Sequence, residues 1–130
     1  MTPQKQKGTS WESAICDYLR DDFPSVCREP LNGSKDIGDI NLATNVCIQA
    51  KNQQRMELST WVDDVNAQGK NRGSWLNVVW HHRPRKASPA EAYVTMDGAT
   101  FKQLLKILQS FDVETAVLER LVKRLEGSVK

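Results

Sequence analysis

Apolar residues recur at helical spacing through Trp11, Ala14, Ile15, Tyr18 and Leu19, with Thr9 or Ser10 placed to cap the start. Pro24 keeps that helix from continuing far. Residues 26–31 read as a short strand, 32–35 as a turn, and 38–42 and 46–51 as the two strands of a hairpin. A second helix is expected from Ser59 or Thr60, with Trp61, Val62 and Val65 inward and Gly69 and Gly73 marking its exit. Residues 75–80 and 92–96 form apolar strands, separated by a basic loop whose two prolines bar regular pairing. Asp97 is placed to cap a last helical region. Its stripe of Phe101, Leu104, Leu108, Phe111, Leu118, Val122 and Leu125 is heptad-like, with Thr115 filling one slot. Residues 110–112 are the place where that region would divide into two helices. The order α-β-β-β-α-β-β-α, without repeats or low-complexity tracts, predicts a small mixed α/β domain.

Composition narrows the class. The chain has 130 residues, 39% apolar and 26% charged, enough for one globular domain whose core needs no disulfide or structural metal. No apolar run approaches the roughly 18 residues of a membrane span, and the polar start lacks the apolar stretch of a secretory leader. Three cysteines (Cys16, Cys27 and Cys47) without CxxC spacing favour a reduced, cytoplasmic setting. The net charge of +2 hides an asymmetry: residues 11–25 sum to −3, while residues 65–90 carry five cations and no acid. Carboxylates for a metal beside a polyanion-binding surface would give such a division, although charge runs are usually only solvated faces.

The hairpin holds the informative polar residues. Alternation places Cys47, Gln49 and Lys51 on one face of its second strand and Val46, Ile48 and Ala50 on the other, toward the core. On the preceding strand Ile37, Asp39 and Asn41 share a face. An aspartate is thereby set beside a glutamine and a lysine on positions that strands seldom spend on polar groups.

This arrangement resembles the PD-(D/E)xK nuclease superfamily. Gly38-Asp39 stands at the PD position and Gln49-Ala50-Lys51 at the (D/E)xK position. Upstream, residues 8–12 (Gly-Thr-Ser-Trp-Glu) resemble the helix that supplies a further glutamate in archaeal and phage Holliday junction resolvases. Gly33-Ser34-Lys35 is similar to their Gly-Ser loop. The resemblance covers about residues 8–109, including the second helix and the Tyr93-Val94-Thr95-Met96 strand, and leaves a helical extension at about 110–126. It implies a restriction-endonuclease-like central mixed β-sheet flanked by helices. It also implies a Mg²⁺-dependent endonuclease, with Mn²⁺ able to substitute, acting on DNA four-way junctions as a homodimer. If phage-encoded, the protein would work in the host cytoplasm.

Carried onto this sequence, the resemblance makes Asp39 the principal metal ligand, joined by Glu12, Gln49 and the backbone carbonyl of Ala50. Lys51 orients the attacking water. Gln49 is a departure, because the family usually has an acid there; an amide oxygen still ligates a hard cation but removes one negative charge. Ser34, Lys35, Gln68, Lys70, Arg72, Arg83, Arg85 and Lys86 are the candidate DNA contacts, and salt should weaken such binding steeply. Bland roles exist as well. Glu12 fits a capping box, Asp36 a flexible loop, His81 and His82 a surface near DNA, and the four tryptophans core or interface positions. Cys47 has no His or Cys partner for nucleophilic chemistry. The alternatives to a resolvase are a nuclease for flaps, single strands or nicked duplex, and an inactive DNA-binding module of the same fold.

Overall fold

Pro3, suited to a first helical position because it has no N–H to leave unpaired, opens the first helix. In the computed structural model, which describes residues 3–30 and 35–128, that helix is α1 (Pro3–Leu19). Thr9 and Ser10 therefore lie inside it and do not cap it, which removes the capping-box role of Glu12. β1 (Cys27–Arg28) is shorter than expected, because Pro30 cannot donate to a ladder. β2 (Ile40–Asn41) and β3 (Val46–Lys51) form the expected antiparallel hairpin, with Ile40 opposite Ile48. The predicted turn at 32–35 falls largely outside the described residues, as does Ser34.

α2 (Leu58–Arg72) crosses over to β4 (Leu76–His81), which runs parallel to β3. β5 (Tyr93–Thr95) closes the antiparallel far edge after a 3-10 turn at Pro89–Glu91. The result is a five-stranded mixed sheet in the order β1-β2-β3-β4-β5. Gly73 ends α2 in the left-handed conformation (φ 83°), its N–H bonded to the Gly69 carbonyl. Gly69 has another purpose: a Cβ there would lie 2.2 Å from the Asn77 side chain, so glycine permits the close approach of α2 to β4.

Both faces of β3 are covered. Ile48 packs with Trp11, Ile15, Cys16, Val26, Ile40 and Val78 on the α1 side. Cys47 packs with Trp61, Val65 and Val79 on the α2 side. The expected alternation is present, yet the face holding Cys47 and Gln49 is a second core and not an open surface.

Two units separate at Asp97/Gly98. The second contains α3 (Gly98–Ser128), one continuous helix of 31 residues. The division considered at 110–112 does not occur; the helix runs through it, and Ser110 turns its hydroxyl back to the Lys106 carbonyl. The helix begins directly after Asp97, where the last helical region is expected to start. No helix among the described residues is long and apolar enough to cross a membrane.

Candidate functional site

Because β3 and β2 are antiparallel, the C-terminal end of β3 meets the N-terminal approach to β2, and Asp39 stands at that corner. Its backbone is held on both sides: its N–H donates to the Ile48 carbonyl (2.9 Å) and its carbonyl accepts from Glu29 N–H (2.8 Å). The preceding Gly38 sits at φ 99°, and a Cβ there would come within 2.9 Å of Cys47 Sγ. Only glycine delivers the chain to Asp39 this way. The carboxylate is fixed in turn, Oδ2 accepting from Ala50 N–H at 2.8 Å.

An open cleft of about 750 Å³ forms around this corner, lined by Glu12, Asp39, Gln49, Ala50 and Lys51. The five residues expected to form the site are therefore brought to one place by α1, the approach to β2, and β3. Lys7 and Gly8 from α1 and Asn52, Gln53, Gln54 and Arg55 after β3 complete the lining. Nothing in the local sequence pattern marks these residues as contacts. Lys7 and Gly8 precede Glu12 by about one helical turn, a signal visible only once the helix is extended back to Pro3.

Burial raises the Asp39 carboxyl to about 6; the nearby Glu12 and Asp36 carboxylates push the same way, while the Ala50 N–H and Lys51 oppose them. Gln49 is only 7% exposed and its Oε1 has no hydrogen-bond partner among the described residues. A buried amide oxygen normally has a donor, so this one is available to ligate a cation. Glu12 is not free: Oε2 accepts from Arg28 Nε at 2.9 Å. No cluster of three His, Cys, Asp or Glu occurs among the described residues. The donor set is instead two carboxylates, one amide oxygen and one carbonyl on an open cleft. That suits a hard cation retaining several waters and does not suit a closed zinc cage.

Other expectations divide. Asp36 is pinned, not flexible: Oδ1 accepts from Gly38 N–H, Oδ2 from Gln68 Nε2 at 3.0 Å, and its carbonyl from Asn71. Gln68 is buried against that loop, its Oε1 unpartnered, and is not a surface residue. Arg72 also leaves the surface set. Its guanidinium, with a side chain 9% exposed, pairs with Glu29 at 2.9 Å and bonds Asn41 Oδ1 and the Ile37 and Ala43 carbonyls. Lys35, Lys70, Arg85 and Lys86 are exposed, and Arg83 lies over the Tyr93 ring at 4.7 Å.

The loop bearing Arg83, Arg85 and Lys86 leaves β4 beside Lys51, where His82 N–H bonds the Lys51 carbonyl. His81 is not a surface residue: it is buried beside Trp61 and Tyr93, bonds Thr95 Oγ1, and burial lowers its pKa. His82 turns to the opposite face, against Trp11. Cys47 is fully buried and its thiol is pushed up to about 11 by desolvation, which removes it from nucleophilic chemistry. Of the acids in residues 11–25, only Glu12 lines the cleft; Asp17, Asp21 and Asp22 are exposed. No protein-family model, curated protein or solved structure matches the chain.

Proposed function

We propose that this protein is a metal-dependent DNA endonuclease selective for branched DNA, with Holliday junction resolution as the specific reaction. The observation that carries the reading is the single cleft in which Glu12, Asp39, Gln49, Ala50 and Lys51 meet. Mg²⁺, or Mn²⁺ in its place, would be held by the Asp39 and Glu12 carboxylates, the orphaned Gln49 Oε1 and the Ala50 carbonyl. A bound ion of this kind neutralises charge on the phosphate and acidifies a coordinated water.

The chain does the rest. Asp39 lines the cleft with Oδ2 fixed by the Ala50 N–H, which limits the rotamer search needed before its carboxylate can hold a ligand. Lys51 brings a positive charge to the scissile phosphate and orients the attacking water. Lys7 and Arg55 flank the same lining and hold neighbouring phosphates, with the exposed Lys35, Lys70, Arg85 and Lys86 as outer contacts. Symmetric cutting of two strands calls for two such clefts, hence a homodimer.

A second reading, a DNA-binding module without cleavage, is favoured by two observations: Gln49 removes one charge, and Arg28 already engages Glu12. The deciding experiment measures binding and cleavage of four-way, flap and linear DNA with Mg²⁺ or Mn²⁺. Wild type is expected to cut the four-way junction. Asp39→Asn and Lys51→Ala should each lower the rate by roughly 100-fold or more while junction binding stays within a few-fold. Cleavage surviving both substitutions sinks the nuclease assignment, and wild-type binding without cleavage selects the second reading.

A further inference from the structure

The first and fourth places of four successive heptads in α3 are Phe101 and Leu104, Leu108 and Phe111, Thr115 and Leu118, and Val122 and Leu125. The repeat is 3.5 residues, whereas a straight helix turns every 3.6. The seam therefore drifts by about 20° per heptad around the cylinder. A flat partner loses such a seam within a few turns; a second helix that supercoils around it does not. Phe111 and Leu118 are each 61% exposed and Leu125 67%.

We propose that α3 is a self-association helix, pairing antiparallel with α3 of a second copy of this chain. In the register centred on Val113, all eight seam positions find partners. Phe101 lies opposite Leu125 of the second copy, Leu104 opposite Val122, Leu108 opposite Leu118, and Phe111 opposite Thr115. Each of the two phenylalanines faces a smaller residue, so layer volumes even out. Parallel pairing would instead stack phenylalanine on phenylalanine, leave threonine on threonine, and set Glu114 against Glu119. The antiparallel register also brings Ile107 beside Leu121, extending the apolar contact, and its cost is Asp112 and Glu114 facing their own copies at the centre.

Covering the exposed part of the seam and these flanks on two helices removes roughly 1,500 Å² from water, the size of a stable dimer interface. The inference deepens the homodimer of the proposed function but rests only on α3. It is tested by mass without metal or DNA, so its failure and that of the nuclease reading are distinguishable.

Sedimentation equilibrium of the full chain at micromolar concentration should give twice the chain mass. Leu118→Asp, on the seam, should weaken association by roughly 30-fold or more. Val113→Asp replaces a side chain of similar exposure (59%) on the opposite face of α3 and should leave the dimer intact. A monomeric wild type, or two variants that behave alike, overturns the proposal. Orientation is read by oxidative cross-linking in a Cys27→Ser background, since Cys27 is exposed. Glu114→Cys should link two copies, whereas linking by Leu118→Cys would show the parallel arrangement and overturn the antiparallel one.

Discussion

Asp39 is held in the structure at an energetic cost that a measurement can expose. Its carboxyl is raised from the ordinary 3.8 to about 6, mainly because burial disfavours the charged form. A group raised in the fold favours folding while it is protonated in both states, and that contribution disappears as pH climbs through 6. Between pH 4 and pH 7 the metal-free protein should therefore lose about 2–3 kcal/mol through this one residue. Asn keeps an oxygen for the Ala50 N–H without the charge. Asp39→Asn should consequently raise the thermal midpoint of the metal-free protein at pH 7.5 and leave it nearly unchanged at pH 4. A midpoint difference independent of pH would refute this account. The residue that the proposed chemistry most needs is thus also one the metal-free fold would be more stable without.

At the scale of elements, α2 does more than cross between parallel strands. From its last turn Arg72 reaches Glu29 after β1, Asn41 in β2 and the carbonyls of Ile37 and Ala43. From the same helix Gln68 and Asn71 hold Asp36. The loop approaching Asp39 is tethered to α2 at several points. Arg72→Met should leave Glu29 as an uncompensated buried charge and cost about 3–5 kcal/mol in urea unfolding. Replacing both partners, Arg72→Met with Glu29→Gln, should recover a large part of that loss.

This tether was not legible in the sequence, where Arg72 is one cation in an acid-free run and reads as surface. The cluster that buries it is assembled from residues about thirty positions or more away, and no local pattern encodes that. The hairpin and its alternation were legible because period-2 patterning is local. The same alternation sets Asp39 beside Gln49 and Lys51, whereas Glu12, which lines the same cleft, is suggested only by a family resemblance. Helix ends were less so: Pro3 begins α1 six residues before the capping candidate Thr9, and the polar first turns carry no apolar period to announce them. His81 escapes the local pattern for a related reason: an imidazole beside prolines and arginines reads as loop although it ends a buried strand.

At the scale of the molecule, the first unit is built around a continuous stretch, β3-α2-β4, spanning residues 46–81, with α1 and the β1–β2 corner added from the N-terminal side. The core on the α2 face, with Cys47, Trp61, Val65 and Val79, lies wholly inside that stretch. The core on the α1 face spans residues 11–78, and Trp11 Nε1 reaches the Trp80 carbonyl across 69 positions. Loop closure makes the second kind of contact slower to find. Folding should therefore start with β3-α2-β4, and α1 should dock late. In stopped-flow experiments Val65→Ala should chiefly slow refolding, whereas Ile15→Val should chiefly speed unfolding. Equal effects of both variants on the two rates would contradict this order. Glu12 arrives with α1, and so the cleft should be the last part of this unit to be completed: a refolding chain should regain most of its sheet before Glu12 joins Asp39, Gln49 and Lys51.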